Sequence, residues 1–241
     1  MRSNYRAVIF DFDNTLINYT LCEQEALKAA LLLHGIIQEE DTQWLTFREV
    51  FDPINGSYWE NRHAYTREEL TLYTFRDALQ HFLGKTDAAE QLAVTYWDTF
   101  CNSCYFEPGA HELLHHVAKT HRIGLITNGY AESQRKRLEA CGIAHLFDSV
   151  VISDEVGLRK PHPHIFEIAL KELDVSSSEV LYVGDSLQDD YCGANNAGIP
   201  FCFYNRDNTP ILSHNHPSFE ITRLSELTTI LRKGTEPYAA N

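Results

Sequence analysis

The segment Val8-Ile9-Phe10-Asp11-Phe12-Asp13-Asn14-Thr15-Leu16 ends a short apolar run in two carboxylates one residue apart and then turns polar. Side chains two apart on a strand share a face, and like charges on one face repel, so a cation belongs beside them. Oxygen-only ligands suit Mg²⁺, which keeps several waters and takes only a few protein carboxylates. The chemistry on offer is a divalent cation held against a phosphate. A strand running into a solvated turn would use the same Asp and Asn residues, so the pair acquires meaning from what converges on it.

The remaining chemistry-bearing groups also follow apolar runs. Thr127-Asn128-Gly129 follows Ile123–Ile126, Ser153 and then Arg159-Lys160-Pro161 follow Val150–Ile152, and Gly184-Asp185-Ser186 with Asp189-Asp190 follows Val180–Val183. Taken singly, the first is an ordinary turn, the second says nothing and the third could cap a helix. The elements that carry them change this. Five apolar runs (Ala7–Phe10, the three just named and Phe201–Tyr204) alternate in the second half with helix-length segments at Glu132–Ala140, His164–Leu173 and Asp189–Ala197. Runs apolar on both faces and separated by helices predict an α/β core with a doubly wound, Rossmann-like parallel sheet. Parallel strands bring their carboxyl ends together, so acids, a hydroxyl, an amide and a lysine meet there. Acids so gathered need a cation, and the other groups are what phosphate oxygens require.

Between residues 18 and 105 the periodicity is helical. Glu23–Leu33 is amphipathic, Thr66-Arg67-Glu68-Glu69 is a capping box opening a segment to Phe82, and Asp87–Glu90 repeats that signature before a segment ending near Phe100. An insertion leaving the end of the first strand is expected to form a cap over the site, because ligands of open α/β sheets bind outside the carboxyl strand ends. The expected division is a core of residues 1–17 and 106–233, a helical cap of 18–105 and a loose tail of 234–241. Within the core, a polar segment Asn205–Pro217 precedes a last strand, Phe219–Ile221, and a closing helix, Arg223–Leu231. In the cap, Phe51–Tyr65 carries Tyr58, Trp59, Asn61 and Arg62. Aromatic faces stack on bases and Asn or Arg reaches base edges or a carboxylate, which makes Trp59 and Arg62 candidates for substrate selectivity; a cap core with Trp59 buried is the competing reading.

With 241 residues, 44% of them hydrophobic, the chain can bury a substantial core. Its net charge of −14 disfavours a polynucleotide or an anionic membrane surface as partner, but leaves room for a small anionic substrate at a locally positive site. The most apolar stretch, Ala29–Leu33, lies between Lys28 and His34 and fits neither a signal peptide nor a membrane span. Six scattered cysteines read as free thiols in a reducing compartment, the cytoplasm. Cys101-x-x-Cys104 lacks a second pair to complete a zinc site. Gly84-Lys85-Thr86 lacks the glycine that a P-loop needs at position 79. His162-x-His164 and His214-x-His216 read as solvated loop histidines, and Glu132–Glu139, with Arg135, Lys136 and Arg137, as an exposed helix face.

Asp11-x-Asp13-x-Thr15, Thr127-Asn128-Gly129, Lys160-Pro161 and Gly184-Asp185-Ser186-x-x-x-Asp190, in this order, resemble the four motifs of the haloacid dehalogenase superfamily of phosphohydrolases. The likeness spans nearly the whole chain, and the helical insertion resembles that superfamily's type I cap. It implies Asp11 as a nucleophile forming an aspartyl-phosphate, and Asp13 as the acid/base that protonates the departing oxygen and then activates water. Mg²⁺ would be held by Asp11, the backbone carbonyl of Asp13 and Asp185. Thr127 and the Asn128 backbone amide would hold phosphate oxygens, Lys160 would offset negative charge, and Asp190 would orient metal-bound water or Lys160. Ile126–Gly129 and the segment from Ile152 to Pro161 are similar to pyrimidine 5′-nucleotidases, which implies a nucleoside monophosphate as the small phosphorylated substrate. Sugar-phosphate phosphatases, such as N-acylneuraminate-9-phosphatase or phosphoglycolate phosphatase, are the alternative. A dehalogenase is disfavoured by Asp13, a phosphomutase by the lack of any residue that would return the phosphate, and a non-catalytic binding module by the intact acids and Lys160.

Overall fold

The computed structural model describes residues 5–38, 42–211 and 215–233. Six strands form a single sheet: β1 (Ala7–Phe10), β2 (Arg122–Thr127), β3 (Ser149–Ile152), β4 (Val180–Gly184), β5 (Phe201–Tyr204) and β6 (Phe219–Ile221). Their order is β3-β2-β1-β4-β5-β6, and every neighbouring pair is parallel. All four residues of β1, all five of β4 and all four of β5 are buried, which is why these strands read as unbroken apolar runs rather than alternating ones. Chain order reverses direction across the sheet between β1 and β4, which pair Phe10 with Val183. At such a switch point two successive connections leave to opposite sides and open a crevice at the carboxyl ends, and that is where α/β sheets bind ligands.

The chain divides into two compact units, one of residues 1–19 and 104–241, the other of 20–103. The second unit is helical. It contains nearly all of α1 (Tyr19–Leu33), followed by α2 (Gln43–Glu60), α3 (Arg67–Leu83) and α4 (Ala89–Cys101). Phe47 and Phe51 of α2 are buried against Phe82, Phe75 and Tyr96, with ring centroids 5.2 to 6.4 Å apart. The α3 capping box is present, with the Glu69 amide donating to Thr66 Oγ1 (3.2 Å) and the Thr66 amide to Glu69 Oε2 (2.9 Å). No such box opens α4. Its N-cap is Ala88, which has no side-chain acceptor, so Asp87 and Glu90 only resemble the signature.

The sheet unit adds α5 (Ala110–Val117), α6 (Ala131–Ala140), α7 (Ser153–Val156), α8 (Pro163–Glu172), α9 (Cys192–Asn196) and α10 (Leu227–Lys233). Ile165, Phe166 and Ala169 of α8 and Ala194 of α9 pack with Ile9, Ile126, Val151, Tyr182 and Phe201 as one core on one face of the sheet. The segment Asp189–Ala197, expected as one helix, is instead a π-helical turn (Leu187–Tyr191) running into α9. The cysteine expectation needs correction: Cys104 and Cys141 are paired as a disulfide, whereas Cys22, Cys101, Cys192 and Cys202 are free. Sequence spacing could not reveal the pair, because its partners are 37 residues apart and meet only through tertiary packing. Among the described residues no helix is long and apolar enough to cross a membrane. The tail from residue 234 and His214 lie outside the described residues.

Candidate active site

The switch point carries the carboxylates. Asp11 follows β1 and Asp185 follows β4, and one hydroxyl, Thr15 Oγ1, lies 3.3 Å from both Asp11 Oδ2 and Asp185 Oδ1. Lys160 reaches the same crevice from the segment after α7, its Nζ donating to Asp11 Oδ1 (2.5 Å), Asp190 Oδ1 (2.7 Å) and Tyr182 Oη (3.2 Å). The ammonium is buried, so its three protons are matched by three oxygens, as a desolvated charge requires. Asp190 is itself fixed, accepting from Tyr182 Oη (2.8 Å) at Oδ1 and from the Ser186 amide (3.0 Å) at Oδ2. The Asp190 carboxyl folds back under Gly184, where any Cβ would collide with it. Ser186, expected as a helix cap on the simpler reading, does accept from the Asp189 amide (3.0 Å) while its own amide serves Asp190.

Asp11, Asp185 and Asp190 each offer an oxygen within 4.8 Å of the others. With Lys160 as the counter-charge, this group has a formal charge of −2. Burial, opposed by Lys160 and reinforced by Asp190 and Asp185, holds the Asp11 carboxyl well above the ordinary carboxylate range. Burial and Asp190 likewise push Asp185 up to about 6. Burial alone would lower Lys160, but Asp11 and Asp190 outweigh it and keep the ammonium protonated. Desolvation is thus the leading cause for both acids, and their mutual repulsion adds to it beyond what one ammonium offsets. An all-oxygen donor set with two charges uncompensated fits a hard divalent cation.

The next strand end supplies a second cluster. Thr127, the last residue of β2, is buried and its Oγ1 accepts from Gln134 Nε2 (2.7 Å). Asn128 does more than turn the chain. Its side-chain amide pairs with the backbone of Lys160, accepting from the Lys160 amide (2.9 Å) and donating to the Lys160 carbonyl (3.1 Å), so one residue anchors the other. Gly129 donates its amide to Ser153 Oγ (3.1 Å), which ties the β2 end to the β3 end. The carboxylate of Asp13 lies apart from the acid cluster: its Oδ1 accepts from Arg137 Nη1 (2.6 Å) and its Oδ2 from Gln134 Nε2 (2.8 Å).

Arg137 corrects the expectation of an exposed helix face. Arg135 and Lys136 are exposed, but Arg137 has 0% of its surface accessible, with its guanidinium 5.0 Å from the Phe12 ring centre and 5.8 Å from that of Tyr19. Charge patterning alone could not reveal this, since Arg137 differs from its neighbours only in facing inward on α6. Tyr182 and Gln134 also escaped sequence reasoning, being one apolar-looking strand residue and one helix residue with no motif of their own. The remaining expected residues lie in the helical unit. Trp59 is half-buried rather than core, and its carbonyl accepts from Arg62 Nη1 (2.9 Å). Nearby, Tyr58, Asn61, Tyr65 and Asp77 line an open cavity, with Tyr58 Oη donating to Asp77 Oδ2 (2.7 Å). His162 caps α8 by accepting from the His164 amide, and His164 pairs with Glu167 in the open, so neither gathers metal ligands.

Residues 8–204 match the family model of the haloacid dehalogenase-like hydrolases. The chain belongs to that family. With relatives that are phosphatases and 5′-nucleotidases, this HAD hydrolase is an enzyme of the phosphatase type, a phosphoric monoester hydrolase, and its sheet is the Rossmann-like sheet of the family's solved structures. One of these is the putative HAD-hydrolase YfnB from Bacillus subtilis bound to magnesium, which is 26% identical, covers 94% of this chain and 98% of that one, and has a TM-score of 0.78. The pyrimidine 5′-nucleotidase YjjG of Escherichia coli is 39% identical over 127 residues, which is 52% of this HAD hydrolase and 56% of that relative. A glyceraldehyde 3-phosphate phosphatase of Methanopyrus kandleri is 30% identical over 95% of this chain and 97% of its own length.

Proposed function

We propose that this protein is a Mg²⁺-dependent phosphomonoesterase that hydrolyses nucleoside 5′-monophosphates through an aspartyl-phosphate on Asp11. The observation that carries the reading is the environment of Asp11: a buried carboxylate with one oxygen on Lys160 and the other near Thr15, inside an acid group two charges short of neutrality. When bound, Mg²⁺ would be held by Asp11, the Asp13 backbone carbonyl and Asp185, and would neutralise phosphate-oxygen charge as a Lewis acid.

The protein's own groups account for the rest. Thr127 Oγ1 and the Asn128 backbone amide hold phosphate oxygens, and Lys160 balances the charge that builds up as Asp11 attacks. As the Asp11 oxygen bonds to phosphorus and the ester P–O bond breaks, Asp13 gives its proton to the leaving oxygen. In the second half-reaction Asp13 takes a proton from water as that water's oxygen bonds to phosphorus and the Asp11–phosphorus bond breaks. The enzyme returns to its starting state and inorganic phosphate is released. Asp190, tied to Lys160 and Tyr182, holds the ammonium in place.

The nucleotide preference rests on likeness to the E. coli nucleotidase. A sugar-phosphate substrate is the second reading, supported by full-length likeness to the glyceraldehyde 3-phosphate phosphatase. Asp13 opposes a dehalogenase, as that chemistry needs no acid at this position. The test is a phosphate-release screen over nucleotides, sugar phosphates and 4-nitrophenyl phosphate, with Mg²⁺ and with EDTA, run beside Asp11→Asn. Expected are highest kcat/KM on a nucleoside 5′-monophosphate, loss of activity in EDTA, and at least roughly a 10³-fold fall for the variant. Equal turnover by Asp11→Asn, or activity indifferent to EDTA, overturns the mechanism; preference for a sugar phosphate overturns the substrate.

A further inference from the structure

Gln134 and Arg137 sit one helical turn apart on α6 and face inward together. Gln134 Nε2 has two protons and two acceptors at hydrogen-bond distance: Asp13 Oδ2 at 2.8 Å and Thr127 Oγ1 at 2.7 Å. Its Oε1 accepts from Arg137 Nη1 (3.1 Å), and the same Nη1 donates to Asp13 Oδ1 (2.6 Å). This pattern fixes which end of the Gln134 amide is oxygen, because the reverse placement would set Oε1 against a carboxylate. It also fills the acceptor side of the Thr127 hydroxyl, leaving that hydroxyl's own proton for an incoming oxygen. Each Asp13 oxygen keeps lone pairs beyond the one in use, and about a quarter of the Asp13 side chain, 23%, remains open.

We propose that Gln134 and Arg137 are positioning residues for phosphoryl transfer: together they lock the acid/base carboxyl of Asp13 and the phosphate-holding hydroxyl of Thr127 into one geometry. Two further observations support the pairing. An arginine with no accessible surface is expensive to bury unless its charge is matched, and here it meets the one carboxylate of the site that stands outside the cation cluster. Gly129 also leaves room for the Gln134 side chain, since a Cβ there would lie 2.6 Å from Gln134 Nε2. The turn after β2 is thus shaped around this amide. The inference rests on the phosphatase reading above, in which Asp13 handles the proton.

The test exploits leaving groups. An alkoxide leaving group needs the Asp13 proton, whereas 4-nitrophenolate departs without it, so misplacing Asp13 penalises alkyl esters selectively. Arg137→Lys, which removes the guanidinium bond to Asp13 and keeps the direct Gln134–Thr127 bond, should lower the single-turnover phosphorylation rate on an alkyl phosphate by about 10²-fold while changing 4-nitrophenyl phosphate by less than about 3-fold. Gln134→Met should add a rise in KM for both esters, because Thr127 loses its partner. Gly129→Ala should reproduce the Gln134→Met pattern with Gln134 still present, which keeps the proposal open to refutation if the Arg137 variant fails to fold. Equal falls in the single-turnover rate on both esters in Arg137→Lys or, where that variant does not fold, in Gly129→Ala, with wild type active on both, overturn the positioning role alone. A wild type inactive on both esters overturns the phosphatase reading instead.

Discussion

Replacing Lys160 by Met would expose the electrostatic design of the site. Lys160 is 5% accessible and its ammonium lies 2.5 Å from Asp11 and 2.7 Å from Asp190, so the substitution strands two buried carboxylates beside Asp185. Removing one partner of a buried ion pair costs about 3–5 kcal/mol. For a chain of this size that is a fall in Tm of about 6–20 °C at roughly 2–4 °C per kcal/mol. The loss must depend on pH. Asp11 and Asp185 are already raised above their ordinary values, Asp185 to about 6. A carboxyl whose folded value lies above its unfolded value contributes stability that is complete below the unfolded value and disappears as pH rises through the folded one. Without Lys160 those values rise further, so the gap between variant and wild type should be small at pH 4.5 and full at pH 8. Mg²⁺ should also stabilise the variant more than the wild type, since the ion now meets the acids without a competing ammonium; saturation at 100 times Kd contributes about 2.7 kcal/mol. Differential scanning calorimetry at both pH values, with and without Mg²⁺, reads all of this. A variant within about 2 °C of wild type at pH 8 without metal, or a Mg²⁺ shift no larger than that of wild type, would refute the account.

Two other substitutions probe separate parts of the molecule. Glu23 is buried in the helical unit, where burial pushes its carboxyl up to about 7 against the pull of Arg48, with Asp52 adding to the rise. Its penalty is absent below the ordinary value and complete above about 7, so Glu23→Gln should raise Tm by about 4–12 °C at pH 8, corresponding to about 2–3 kcal/mol, and leave it unchanged at pH 4. A constant difference across pH-resolved melting curves would reject that assignment. Gly184→Ala drives a methyl into the Asp190 carboxyl and detaches it from Lys160, Tyr182 and the Ser186 amide. We expect kcat/KM to fall at least tenfold and stability by about 1–3 kcal/mol; unchanged steady-state kinetics would mean that Asp190 does not hold Lys160.

The amino-acid sequence alone determined the strands, because β1, β4 and β5 are buried on both faces and so contain only residues that tolerate full desolvation. It also put Asp11 and Asp185 just past the carboxyl ends of two strands that turn out to be parallel neighbours, which sets both acids on one side of the sheet. The α2 helix was less legible: Pro53 and Gly56 interrupt its local signal, and what holds Gln43–Glu60 together is the burial of Phe47 and Phe51 against residues of α3 and α4. The inward turn of Arg137, the Gln134 link between Asp13 and Thr127, the bonds of Tyr182 to Lys160 and Asp190 and the Cys104–Cys141 pair were decided by tertiary structure only. The physical reason is common to all four. A one-dimensional pattern records whether a side chain tolerates burial, but which polar group it meets there depends on how separate elements are rotated and packed together.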